Sequence, residues 1–410
     1  MSNAKNNIFS KQNLASYSDN FIVTILTLSG AVIALAPKGL APMVLLLAIG
    51  AAVNLWSRGA QINFPLNGGT ISLIALIIWA GLSVFWAPNM AESAVKFVQI
   101  IGFILCLFPL WLYGRTTEIF QKRTVKIIFS LSFLASWLFT TLIVFNHHIF
   151  IAGISEFNAV LSVLGFSGVQ MQNFVSVSNR AITILVPLSF VIYATCLNNK
   201  LIYWPLLAAM FFVIFHSNNQ SALLGITVPV VCVLLIYLVP RFVRVFFPIV
   251  IVLAGLFVVP LSIVNYQTGL YQKVLPEIFL KKASASPRTD LYYAYAMASL
   301  DRPLLGHGLD TSSSVDFGET DYNFWKNKTR PHHPHNFFLQ LFYEFGVLGL
   351  VGFFIILLNL GRRLEFLPVL ASVLGVGFFA YNIWQSWFLG MMCLLFFISS
   401  ALLRSQPKRF

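Results

Sequence analysis

The chain has 410 residues, of which 58% are hydrophobic and only 10% charged, with a mean hydropathy of +0.82. That composition excludes an ordinary soluble domain and places the chain among polytopic membrane proteins. A net charge of +13 would suit nucleic acid, but the basic residues are scattered between apolar runs and form no dense stripe, so nucleic acid is excluded as a partner and membrane topology accounts for the charge.

Met1 to Asn20 is polar and lacks the small-residue cleavage pattern of a secretory signal, which predicts that the first apolar run acts as an uncleaved anchor. Runs of a length that crosses a bilayer, about 17 to 25 residues, fall near 21–36, 40–56, 70–86, 94–113, 125–145, 181–198, 201–216, 221–239, 242–263, 337–359, 366–383 and 384–403. They predict an all-α fold with about 12 transmembrane helices, residues 1–410 forming a single integral membrane domain. With the N-terminus inside, the inner set is Lys5, Lys11, Arg58, Arg115, Lys122, Arg123, Lys126, Lys200, Arg241, Arg244, Arg362, Arg363, Arg404, Lys408 and Arg409. The short outer loops keep only Lys38, Lys96 and Arg180, so the positive-inside rule puts both termini in the cytoplasm. The same assignment places all of His147, His148, His216, His307, His332, His333 and His335 outside, although none was used to make it.

Two outer loops exceed a simple turn. Residues 146–179 mix polar and aromatic residues and suggest a segment lying on the membrane surface. Residues 265–335, between spans nine and ten, form the longest polar stretch. Within it Ser286-Pro287, followed by Asp290 to Met297, predicts a helix with Ser286 as its cap and proline at its first position. The four cysteines, Cys106, Cys196, Cys232 and Cys393, sit inside apolar runs without metal spacing and imply neither a disulfide framework nor a redox motif.

Three residues stand out by position. Asn179 reads as a helix cap that puts Arg180 in the first turn of the sixth span. Arg288 falls in the first turn of the loop helix, and His335 opens the tenth span. At a helix N-terminus the unpaired N–H groups and the dipole favour an anion, and an arginine fork suits phosphate oxygens, which makes a lipid pyrophosphate one natural candidate. Plainer readings stand beside this one. Arg180 at a span boundary can snorkel to headgroups, Arg288 can be a solvated loop charge, and His335 an interfacial residue. His332, His333 and His335 also resemble a metal site, but no carboxylate lies at a fixed short spacing, and Pro331 and Pro334 would splay the imidazoles. Interfacial Trp325, Phe337 and Phe338 suggest access for lipid from the bilayer.

His335-Asn336, then nine residues to Gly346 and two more to Gly349, resembles the signature of the O-antigen ligase family, which shares its membrane domain with O-antigen polymerases. Asn179-Arg180, Gln220 to Gly225, and Arg288 followed by Asp301 to Gly308 agree with it in order and spacing. The resemblance implies a metal-independent inverting glycosyltransferase without a cofactor, in the bacterial inner membrane, with the 265–335 loop periplasmic and contributing to the active site. Its donor would be an undecaprenyl-pyrophosphate-linked glycan and its acceptor lipid A–core, with membrane lipids around it. By position, His335 matches the family's essential histidine, and Arg180 and Arg288 its two pyrophosphate-binding arginines. Many relatives carry Ser-Arg where this chain has Asn219-Gln220, so a third cation is missing and Gln220 offers only a neutral amide. Asn336 is expected to orient His335 or the acceptor, Glu344 to be a structural partner, and Gly346 and Gly349 to allow close helix packing. Rival readings are an O-antigen polymerase, a protein-directed oligosaccharyltransferase using the same donor, and a lipid or solute transporter. A transporter would need ionisable residues or broken helices near the midplane, and the charge here lies at span ends.

Overall fold

The computed structural model describes residues 10–61, 67–118, 122–146, 173–195, 200–217, 219–274, 277, 285–315, 333–361, 364, 366–379 and 382–403. These form fourteen α-helices, and there is no strand among the described residues. Eight helices are long and apolar enough to cross a membrane, and four shorter apolar helices accompany them. Each of the twelve apolar runs read from the sequence therefore contains a helix, and the chain is an all-α polytopic membrane protein. Only closed backbone hydrogen bonding is tolerated in hydrocarbon, which is why runs of this composition become helices.

The chain divides into two compact units. The first comprises Met1–Ile62, Phe103–Ala222 and Ser386–Phe410. Its helices are α1 (Lys11–Leu35), α2 (Leu40–Ser57), the later part of α4 (Met90–Thr116), α5 (Arg123–Phe145), α6 (Asn173–Thr195), α7 (Lys200–His216) and the last helix, α14 (Ser386–Leu403). Helix α1 packs on α2 and α5. Its Gly30 leaves no room for a side chain, since a Cβ there would meet Ser132 Oγ at 2.3 Å. Small residues that let backbones approach are the usual means of packing helices where lipid removes the hydrophobic drive. At one end of the unit Asp19 ties three helices. It pairs with Arg58 at 2.7 Å and accepts from Asn54 Nδ2 at 2.8 Å and Tyr113 OH at 2.7 Å.

The second unit comprises Asn63–Gly102 and Leu223–Gln385. It holds α3 (Gly68–Ser83), the start of α4, most of α8 (Gln220–Leu238), α9 (Pro240–Thr268), the short α10 (Leu270–Val274), α11 (Ala285–Ser299), α12 (Phe337–Gly361) and α13 (Leu367–Gly377). The loop helix α11 is expected from Ser286 and starts at Ala285, with Pro287 in its first turn. It shares one core with the long helices, in which Tyr292, Tyr295, Leu339, Phe345 and Leu350 are all buried. Burying an aromatic side chain of this size is worth about 1.5–3 kcal/mol, so α11 is anchored by packing. Phe338 belongs to the same core at 1% exposure, which corrects the expectation that it faces lipid. Trp325 lies outside the described residues.

Two helices depart from the simple run. The eleventh run is helical only to Gly377, and Phe378, Phe379, Ile383 and Trp384 stand in turns before α14 begins. Helix α12 breaks at Gly346, whose backbone stands at φ 63° and ψ −163°. That conformation is open essentially to glycine alone. The carbonyls freed by the break are taken from outside the helix. His307 N–H donates to Tyr343 and Gly308 N–H to Glu344, each at 2.9 Å, while Trp79 Nε1 donates to Phe345 at 3.2 Å. Beyond the break Val347 N–H donates to the Pro303 carbonyl at 2.8 Å. The loop after α11 is thus seated in the break, with Gly306 and Gly346 the two points of closest approach. A Cβ on Gly306 would fall 2.3 Å from the Glu344 oxygen, and one on Gly346 would fall 2.4 Å from the Leu304 carbonyl. Close packing is what the sequence predicts for Gly346, but its partner is a loop and its main demand is a backbone angle.

Candidate active site

His335 ends a turn that leads into α12. It is one of two non-glycine residues with positive φ among those described, at 54°. Asn336 follows and caps the helix, its Oδ1 accepting from Leu339 N–H at 3.0 Å and its carbonyl from Gln340 N–H at 2.9 Å. Asparagine is favoured at such a position because its side chain satisfies an N–H that the helix cannot. His335 itself stands two residues before the first helical residue, Phe337. The ring of His333 lies against it, with centroids 4.1 Å apart. His332 lies outside the described residues, and no group of three or more metal-ligating side chains converges among the described ones.

Tyr292, one turn along α11 from Arg288, reaches the backbone of His335. Arg288 and Tyr292 are four residues apart on α11 and so share a face. The Tyr292 hydroxyl shares its one proton between the carbonyls of His335, at 3.3 Å, and Phe378, at 3.1 Å. The Arg288 guanidinium lies over the next ring, 4.5 Å from the centroid of Phe379. Burial pulls the Arg288 pKa below its ordinary value, with the Tyr292 hydroxyl pushing it back up. An arginine stays charged even so, and a cation that has given up water gains more from an approaching anion than an exposed one does. Burial pushes the Tyr292 hydroxyl well above the ordinary phenol range, which keeps it a proton donor at neutral pH.

Arg180 lies in the first unit. Helix α6 begins at Asn173, so Asn179 is not its cap and Arg180 is past the first turn. The residues ahead of Asn179 contain no proline or glycine to stop the helix, and it extends back through them. The Asn179 carbonyl instead accepts from Thr183 Oγ1 at 2.7 Å and from the side chain of Asn219. Asn219 also donates to Thr183 Oγ1 at 2.9 Å, and its Oδ1 accepts from Ala222 N–H at 3.0 Å, capping α8. The departure from Ser-Arg at 219–220 therefore places a structural cap beside the turn that carries Arg180. Gln220 is the first residue of α8.

Glu344 is wholly buried two residues before the break. Its carboxylate accepts from Asp310 N–H at 3.0 Å, Gln340 Nε2 at 2.8 Å and Trp384 Nε1 at 2.5 Å. The same Gln340 amide reaches Asn382 Oδ1 at 2.9 Å, Asn382 reaches Asp310 Oδ1 at 3.2 Å, and Lys96 lies 3.6 Å from the other Asp310 oxygen. Burial raises the Asp310 pKa, against which Lys96 and Asn382 lower it. The structural role read for Glu344 thus has named partners. Asn382 and Trp384 were hidden inside what reads as continuous apolar sequence; the signal was a polar Asn382 in the middle of it. Tyr292 and Phe379 carried no such mark. His307, also in the seated loop, stacks on Tyr343 at 4.4 Å and contacts the Ala298 carbonyl at 2.8 Å, and burial lowers its pKa.

Fold and site together define a multi-pass helical membrane protein with a broken helix, a loop seated in the break, and a tyrosine one turn from Arg288 that bonds the His335 backbone at the head of that helix. Residues 205–354, a segment that includes Arg288, His335 and the glycine pair, match the model of the family described as O-antigen ligase. A Rickettsia conorii protein named "Putative polysaccharide ligase" is 29% identical over 119 residues, covering 26% of this chain and 29% of the relative. Its namesake in Rickettsia prowazekii is 28% identical over 131 residues, covering 29% of this chain and 32% of the relative. One from Rickettsia typhi is 27% identical over 121 residues, covering 26% and 30%. The chain spans about a third or less of the length of these curated relatives. No solved structure matches the chain.

Proposed function

We propose that this protein transfers an O-antigen glycan from an undecaprenyl-pyrophosphate-linked donor to lipid A–core, at the periplasmic face of the bacterial inner membrane, with both termini in the cytoplasm. The observation that carries the reading is that one loop helix bears a half-buried arginine, Arg288, and one turn on a tyrosine, Tyr292, that bonds the backbone of His335, all within the matched segment. The printed name of the relatives, polysaccharide ligase, agrees with it.

In the proposed step an acceptor hydroxyl oxygen attacks the anomeric carbon of the donor, and the bond from that carbon to the pyrophosphate oxygen breaks. His335, neutral, takes the hydroxyl proton as general base, which requires it within hydrogen-bond reach of that hydroxyl. The electron pair leaves with the pyrophosphate, whose growing charge Arg288 stabilises. Arg180 is assigned a second contact to the pyrophosphate on the strength of the resemblance. A single displacement inverts the anomeric configuration. Arginine's fixed fork supplies here what a divalent metal supplies in many transferases. Asn336 and Glu344 act on the scaffold, the first by starting α12 and the second by holding the seated loop.

The test is incubation of the purified protein in proteoliposomes with a labelled undecaprenyl-pyrophosphate-linked glycan and lipid A–core. The expected product is labelled lipopolysaccharide. Elongated lipid-linked glycan instead would make the protein a polymerase, and no transfer of either kind would overturn the assignment.

A further inference from the structure

Tyr292 touches the residue assigned as the base and has no part in the chemistry written above. Its hydroxyl proton is shared between the His335 carbonyl, at 3.3 Å, and the Phe378 carbonyl, at 3.1 Å. The two acceptors belong to different turns, one leading into α12 and one following α13. The His335 turn is the costly one, because a φ of 54° brings Cβ close to the following carbonyl in any residue that has a Cβ. Something must hold it there. Asn336 fixes the helix start on one side, and Tyr292 is the side chain that grips the His335 backbone from another element. One turn back along α11, Arg288 rests on the ring of Phe379, next to the second of the two carbonyls. The helix that carries the cation thereby also holds the backbone of the histidine.

We propose that Tyr292 is a positioning residue for glycosyl transfer: its hydroxyl holds His335 in the left-handed turn and so fixes the imidazole relative to the Arg288 guanidinium. The proposal rests on the assignment of His335 as base. A base acts only within about 2.6–3.2 Å of the proton it takes. A displacement of about 1 Å is enough to cost on the order of a hundredfold in rate. Tyr292 is 6% exposed, so its ring also packs, and the two roles separate on substitution. Tyr292→Phe keeps the ring and removes only the hydroxyl.

The variant is measured in proteoliposomes with the labelled undecaprenyl-pyrophosphate-linked glycan and lipid A–core. The expected result is a kcat lower by about tenfold with donor KM unchanged, because the imidazole is displaced while the pyrophosphate contacts are kept. Unchanged kcat would overturn the proposal, as would a loss accompanied by a matching rise in donor KM. His335→Ala in the same assay separates the two layers. Full turnover in His335→Ala removes the base assignment, whereas an inactive His335→Ala beside a fully active Tyr292→Phe removes only the tyrosine's role. A readout independent of transfer is the imidazole resonance of His335, identified by its loss in His335→Ala. It shifts in Tyr292→Phe if the hydroxyl holds the turn, and an unmoved resonance contradicts the proposal whatever the substrates prove to be.

Discussion

Glu344 accepts three hydrogen bonds from three parts of the chain, and at 0% exposure no water can replace them. Substituting alanine leaves the Asp310 N–H, the Gln340 amide and the Trp384 indole without their acceptor. An abandoned buried donor costs about 1–3 kcal/mol, so Glu344→Ala should destabilise the protein by about 3 kcal/mol or more. Glu344→Gln keeps one acceptor oxygen and should fall between alanine and the native residue. Thermal unfolding in detergent checks the order, and equal melting temperatures for Glu344→Ala and the native protein would rule out the role. Legibility at this scale was uneven. His335 was selected by its spacing to Gly346 and Gly349, and Arg288 by its place in a loop helix, because both depend on local order along the chain. Tyr292 was not selected, since a tyrosine among the aromatics of α11 carries no local sign that its hydroxyl reaches two distant carbonyls.

At the scale of elements, α12 is the part whose sequence pattern says least about its shape. Its apolar run is continuous from Phe337 to Gly361, so periodicity predicts an unbroken helix, and a glycine in the middle is compatible with that. What breaks the helix is tertiary: the segment Pro303–Gly308 supplies the donors and acceptors that the broken ladder needs. Gly346→Ala meets two penalties together. The backbone angle alone costs about 1–3 kcal/mol for a residue with a side chain. The added methyl would also stand 2.4 Å from the Leu304 backbone, which cannot swing aside as a flexible side chain would. The expected outcome is a melting temperature well below that of Gly352→Ala, whose nearest neighbour to an added Cβ is a Leu76 methyl at 3.6 Å. Comparable melting temperatures for the two variants would mean that the seated loop does not depend on Gly346. The misplacement of Asn179 has a similar cause. Asparagine is a good cap in general, but α6 was free to start earlier.

For the molecule as a whole, composition and run length carried the all-α membrane class and all twelve helical segments, since lipid imposes helix formation on apolar runs regardless of detail. They did not show that the eleventh run stops at Gly377, nor that the turn after it supplies Asn382 and Trp384 to the buried network and Phe379 to Arg288. That turn meets the seated loop in the Glu344 network and shares the Tyr292 hydroxyl with the head of α12. The account makes His335 the base of a transfer that needs no divalent metal. Its most direct test is the single-turnover rate of transfer from an undecaprenyl-pyrophosphate-linked glycan to lipid A–core, compared between the native protein and His335→Ala in the presence of a chelator. General-base catalysis typically supplies about 10²–10⁴-fold, so the variant should be slower by that factor while the native protein is unaffected by the chelator. A His335→Ala rate within about twofold of the native one, or a native rate abolished by the chelator, would contradict it.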